Sequence, residues 1–190
     1  MGLTMRPSNP ALQAVSRSLR GSRDLLVEQW SKWVIGRVQE APHVRTPTVE
    51  RHLALLVDIL IESAGPLRRQ VAELWFTASE VYGQTAANRG LAAGEVVEEL
   101  QQLREILIHF LSEPIATLPA RQSMAAVLRL NRILDRGISH AVVGYTDALV
   151  ETLLNRRGVP IVASEPEEDE VLRRLESLEE ELAQLRQRSV

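Results

Sequence analysis

Four histidines, 25 acids and 22 cations are the side chains that could do chemistry in this 190-residue chain, which has no cysteine. The lack of Cys removes disulfides, thiolate metal sites, iron–sulfur clusters and cysteine nucleophiles together. His43, His52, His109 and His140 fall in three or four separate elements, and no two are a helical turn apart. There is no GxxxxGK[ST] to cradle phosphate, no GxGxxG, no HExxH and no GxSxG. A di-iron bundle would need inward Glu and Glu-x-x-His from facing helices. Here Glu105 and His109 are four apart, and Glu98 and Glu99 are followed by no suitably placed His. Helical spacing also turns Glu95, Glu98, Glu99, Gln102 and Glu105 away from the stripe of Val96, Leu100, Leu103 and Leu107. His109, between Leu107 and Leu111, is the best heme-ligand candidate, against the plainer reading of a histidine at the edge of that stripe. The residues therefore predict no catalytic, cofactor-binding or metal-ligating set, and a protein that is not an enzyme.

The elements that must position these residues read as all-α. A first helical piece can be capped by Ser8 and runs through Leu19, and Gly21 weakens the pattern. Leu26, Trp30, Trp33, Val34 and Val38 recur at helical steps, and Ala41 and Pro42 end that helix. A second helix begins after Thr46 with Pro47 in its first turn and carries Leu53, Leu56, Val57, Leu60 and Ile61 inward to Gly65. A third, opened by Pro66, presents Leu67, Val71, Leu74, Trp75, Ala78 and Tyr82 and stops at Gly90 as a left-handed cap. The fourth runs from Leu91 to about Ser112, and Pro114 and Pro119 bracket a loop. The fifth, Ala120 to Arg156, is so long that it must bend or project, with Gly137 and Gly144 as flexure points.

Gly158, Val159 and Pro160 then interrupt the chain, and its character changes. From Glu165 to Val190 there are 9 acids against 4 arginines. Val171, Leu175, Leu178, Leu182 and Leu185 are spaced 4, 3, 4, 3, an a/d heptad seam. So short a coiled coil is marginal alone, and two arrangements follow. Either a body that already dimerises supports it, or it is a single helix folded back on that body. The expected organisation is an N-terminal helical extension over 1–21, a helical domain over 22–157, a linker over 158–169 and a heptad helix over 170–190. Basic residues are 21 arginines and Lys32, interleaved with acids, which predicts no nucleic-acid surface. Met1–Pro10 has no apolar signal core, and the longest greasy run, Leu53–Ile61, is broken by Asp58. Neither export nor a membrane span is expected, and a reducing cytoplasmic setting fits the absence of Cys.

The segment Trp30–Tyr145 resembles the N-terminal sensory domains of RsbR-type stressosome co-antagonists, a family also found at the front of bacterial histidine kinases. The resemblance is carried by Trp30 in VEQWSKWV and by Arg89, Gly90 and Leu91 ahead of AAGEVVEELQQLREIL. Glu99, Leu103 and Arg104 match an acid-x-x-x-Leu-Arg spacing, and Asp135 and Tyr145 lie in LNRILDRGISHAVVGYTDAL. It implies a non-heme, globin-like bundle of about five long helices, in which Glu99 can pair with Arg89 or Arg104 at the ends of neighbouring helices. Tyr82 and Ala86 stand where the family often has His and Arg, a departure that argues against a ligand role there. The tail replaces the kinase or STAS-type module that such domains commonly feed. The implied function is a non-enzymatic bacterial signalling adaptor that homodimerises and contacts a kinase, STAS-type or anti-sigma pathway component. The alternative is a globin-like sensor enclosing heme or a small apolar molecule between the helices of Trp75, Tyr82, Leu103 and Phe110.

Overall fold

Apolar residues at three- and four-residue steps drive every regular element of the chain. The computed structural model describes residues 10–38, 45–154 and 165–188. Among these the chain forms seven helices and no strand: α1 (Pro10–Gly21), α2 (Arg23–Val38), α3 (Thr46–Ala64), α4 (Ala72–Asn88), α5 (Ala93–Ala116), α6 (Ala120–Leu154) and α7 (Glu165–Gln187). Ser8, His43 and residues 158–164 of the expected linker lie outside the described residues. The final helix begins five residues before the expected 170.

α3 is the central helix. Its side chains are buried almost all the way round, Leu53, Leu55, Leu56, Ile59 and Leu60 among them, because α1, α2, α4 and α7 all pack on it. Leu26, Trp30 and Val34 are the buried stripe of α2, and Val96, Leu100, Leu103, Leu107 and Leu111 that of α5.

Two boundaries differ from the sequence expectation. The stretch 66–71 makes turns rather than the first turns of α4, although Leu67 and Val71 are buried as anticipated. Val71 N–H donates to the Leu67 carbonyl and Trp75 N–H to the Val71 carbonyl, so these turns lead directly into the helix. At the other end, α5 continues through Pro114 to Ala116, where a loop was expected. A proline in the last turn removes only one ladder bond, and the Thr117 hydroxyl closes the end by donating to the Pro114 carbonyl at 2.8 Å. Gly90 adopts φ +77°, the left-handed conformation expected of it, and lets α4 turn sharply toward α5.

α4 and α6 form the tightest helix pair. A Cβ at Gly83 would lie 1.8 Å from the Ala141 carbonyl oxygen, and one at Gly144 would lie 2.0 Å from the Glu80 carbonyl oxygen. The two backbones therefore touch. The crossing is fixed further by Trp75, whose Nε1–H donates to the Ile133 carbonyl at 2.9 Å. On the exposed side His140 Nδ1 lies 2.7 Å from Glu80, and its ring stacks on Phe76. At about 1.5 Å per residue, the 35 residues of α6 span ~52 Å. Its last apolar residues, Val150, Leu153 and Leu154, are exposed.

Candidate functional site

Four helices deliver polar side chains into the interior at one place. Arg89 follows the last residue of α4 and Glu99 lies in the second turn of α5; they are 1% and 2% exposed. Glu99 is inward, not outward, because it falls three residues after Val96 and four before Leu103, on the apolar stripe itself. The Arg89 guanidinium donates to both carboxylate oxygens, at 2.7 and 3.1 Å. The Tyr82 hydroxyl of α4 donates to the same carboxylate, and Trp30 of α2 donates its indole N–H to the Glu99 backbone carbonyl at 2.9 Å. His52 of α3 completes the group, edge-on to the Tyr82 ring with centroids 5.3 Å apart.

The electrostatics follow from the geometry. Burial pushes the Tyr82 hydroxyl well above its usual range, and the neighbouring Glu99 charge adds to this, so it remains a donor. Burial works against the Arg89 charge, but the Glu99 carboxylate outweighs it and the guanidinium is held more firmly protonated. His52 faces the Ala78 carbonyl through Nε2 at 3.1 Å, so that nitrogen carries the proton. Its Nδ1 has no partner in the protein, and neither does Arg89 Nε. Burial first, then the charges of Arg89 and Arg174, pushes His52 down to about 4.

Nothing matches the chain in comparisons with protein-family models, curated proteins and solved structures.

Among the residues expected to matter, the structure brings Trp30, Arg89 and Glu99 into one contact network and buries Leu103 one turn after Glu99. Gly90 turns the chain beside it. Of the two partners open to Glu99, Arg89 takes the site, and Arg104 pairs instead with Asp135 of α6 at the surface. Tyr145 lies elsewhere, buried near the α4–α6 crossing. His109 is exposed on α5, so it does not project into the helical interior as an internal heme ligand would. His52 and Tyr82 were not singled out for this polar network, although His52 interrupts the stripe between Val49 and Leu56, a signal legible in the sequence. Among the described residues no three His, Asp or Glu side chains converge to hold a metal ion, and no helix is long and apolar enough to cross a membrane.

The heptad seam is placed just as definitely. α7 lies in the groove between α3 and α4 of its own chain, with Leu175, Leu178 and Leu182 buried and Val171 and Leu185 partly so. This is the folded-back arrangement of the two left open by the seam's length. Acids and arginines flank the leucines. Arg51 forks onto Glu179 at 2.6 and 2.9 Å and reaches Glu176 at 3.5 Å. Glu168 meets Thr48 and Arg45, and Arg186 donates to the buried Glu62 at 2.9 Å. The order of these pairs shows that α7 runs parallel to α3. Arg174 reaches across to Gln84 of α4, and a cavity of about 230 Å³ remains between Thr77, Val81, Ser177 and Leu178.

His52 gives the cluster a measurable pH signature. Its folded value, about 4, lies below the unfolded value near 6.5. As pH falls below ~6.5 the unfolded chain takes up the proton first, so stability present at neutral pH is lost progressively down to about 4. The expected loss by pH 5 is about 2 kcal/mol. Urea unfolding between pH 7 and 5 should show it, and His52→Gln should flatten that part of the profile. An unchanged slope in the variant would remove His52 from this role.

Proposed function

We propose that the chain is a cytoplasmic, non-enzymatic bacterial signalling adaptor of the RsbR-like, globin-like type, acting by homodimerisation and contact with a signalling protein. The observation that supports it best is the placement of α7. A heptad seam able to pair with another helix is docked on its own body by three buried leucines and a row of ion pairs. Fully burying a leucine contributes about 2 kcal/mol relative to exposing it, whereas a part-exposed pair such as Arg51–Glu179 contributes about 0–1 kcal/mol. The leucines therefore dominate the docking, and the charged pairs set its register.

One seam cannot serve two partners at once. With α7 in the groove, Leu175, Leu178 and Leu182 are covered; for the seam to pair with a second copy or a partner helix, α7 must leave the groove. In this reading the cluster around Glu99 holds the body rigid, and the balance between the two positions of α7 is the output. The structure places the seam on its own body; its second use rests on the heptad spacing, and the signalling context on the family resemblance.

Leu175→Asp with Leu182→Asp tests the reading. Sedimentation of the full chain across a concentration series should show a wild-type dimer and a double variant that dimerises more weakly, with far-UV circular dichroism of the body retained. A wild type that is monomeric throughout would sink the dimer. A double variant that dimerises as tightly as wild type would remove the seam from it.

A further inference from the structure

The beginning of α6 and the turn before α4 share an unusual charge pattern. Residues 63–72 and 114–134 contain five arginines, Arg68, Arg69, Arg121, Arg129 and Arg132, and no acid or aromatic residue. The two stretches are neighbours, since Trp75, just beyond the turn, bonds to the Ile133 carbonyl of α6. Of the acids that flank the two stretches in sequence, Glu62 pairs with Arg20 and Arg186 and Asp135 pairs with Arg104, while among the described residues Glu73 and Glu113 make no ion pair with any of the five arginines. Among the described residues none of the five arginines has an ion-pair partner, whereas Arg23, Arg51, Arg89, Arg104 and Arg186 all do.

The arrangement works against the free molecule. Arg129 has its Nε buried without a hydrogen-bond partner. Its proton is held less firmly than usual, first through burial and then through repulsion by Arg68 and Arg132. A folded chain gains nothing by gathering like charges around a half-buried guanidinium with an orphan donor. Along the same face Arg121, Met124, Leu128 and Arg132 follow at steps of 3, 4 and 4, with Met124 60% and Leu128 50% exposed. Two bare apolar side chains thus lie between unpaired cations.

We propose that this face of α6, with Arg68 beside it, is a docking surface for an acidic amphipathic helix of a partner protein. The partner's apolar side chains would cover Met124 and Leu128, while its carboxylates would pair with Arg68, Arg129 and Arg132. A second copy of α7 fits less well, because its Glu168, Glu176 and Glu179 are already paired with its own α3. Single-stranded nucleic acid fits less well too, since base stacking needs aromatics and these stretches have none. The surface is separate from the α7 groove, and a second copy of α7 is set aside as its occupant for the docked position of α7, in which those acids are paired.

The test uses the full chain and a labelled synthetic helical peptide of about 20 residues, long enough to form a helix on binding, with leucine on one face and glutamate elsewhere. Fluorescence anisotropy should show binding that weakens as salt rises. Arg129→Gln with Arg132→Gln should reduce affinity by at least about tenfold, and Met124→Ser with Leu128→Ser should also weaken it. The double Gln variant should melt at a higher temperature than wild type, because it relieves repulsion among guanidiniums that make no ion pair among the described residues. Absence of peptide binding, or binding indifferent to either pair of substitutions, would overturn the proposal. So would tighter binding of a single-stranded DNA oligonucleotide of equal charge. A lower melting temperature in the Gln variant would also overturn it, by showing that these guanidiniums hold the fold together.

Discussion

Glu99→Ala should cost about 3–5 kcal/mol of folding stability, a large share of the roughly 5–15 kcal/mol that holds a domain of this kind together. The substitution removes one carboxylate but strands two buried groups. Arg89, 1% exposed, keeps a charge that burial disfavours and loses the carboxylate that offset it. The Tyr82 hydroxyl loses its acceptor. Glu99→Gln should cost less, because an amide oxygen can still accept from Tyr82 while the Arg89 charge goes uncompensated. Replacing the whole set, Arg89→Met with Glu99→Leu and Tyr82→Phe, should recover most of the loss, because no buried polar atom of the three is then left unpaired. Urea midpoints for the four proteins measure this. A cost below about 1 kcal/mol for Glu99→Ala would show that water reaches the site and that the burial argument fails. Sedimentation of the triple variant then separates support from signalling: if the cluster only holds the body rigid, the self-association of the stable triple variant should match wild type.

The all-helical class was legible because Leu26, Trp30 and Val34, or Leu100, Leu103 and Leu107, repeat at the period of one helix face and no other. Gly90 was legible because a left-handed cap between two helices has few other solutions. Pro114 misled, since a proline near the C-terminal end of a helix takes away one bond to the preceding turn without ending the helix there. Glu99 was read outward as one of five neighbouring polar residues, yet its own offset from Val96 and Leu103 put it on the buried stripe. A charged residue on such a stripe predicts a buried partner, and Arg89 was available ten residues upstream. For the tail, the heptad spacing specified a seam but not what the seam faces. A groove between two helices of the same chain presents the same alternation of leucine-sized spaces as a second coiled-coil strand, so only tertiary placement distinguishes them. The basic face of α6 was missed for a related reason. Charge summed along the chain hides five arginines, in two stretches far apart in sequence, that have no ion-pair partners among the described residues.

Gly83→Ala combined with Gly144→Ala should cost at least about 3 kcal/mol, and it tests a different part of the molecule from the polar cluster. Each new methyl would overlap the opposing helix's backbone, at 1.8 Å from the Ala141 oxygen and 2.0 Å from the Glu80 oxygen. Backbone cannot swing aside as a side-chain tip can, so α4 and α6 must separate. Separation would lengthen the Trp75 bond to the Ile133 carbonyl, now 2.9 Å, and pull Phe76 off the His140 ring, now stacked at 4.3 Å. It would also displace α4 from α7, because α4 forms one wall of the groove that holds Leu175 and Leu178. The double variant should therefore melt lower and also release α7, seen as faster amide hydrogen exchange across 168–188 than in wild type. Helix propensity alone makes the opposite forecast, since Ala is favoured over Gly by about 1 kcal/mol per site in a helix interior. A variant more stable than wild type would show that the two helices do not meet backbone to backbone, and with that the rigid link between α6 and the α7 groove would be lost.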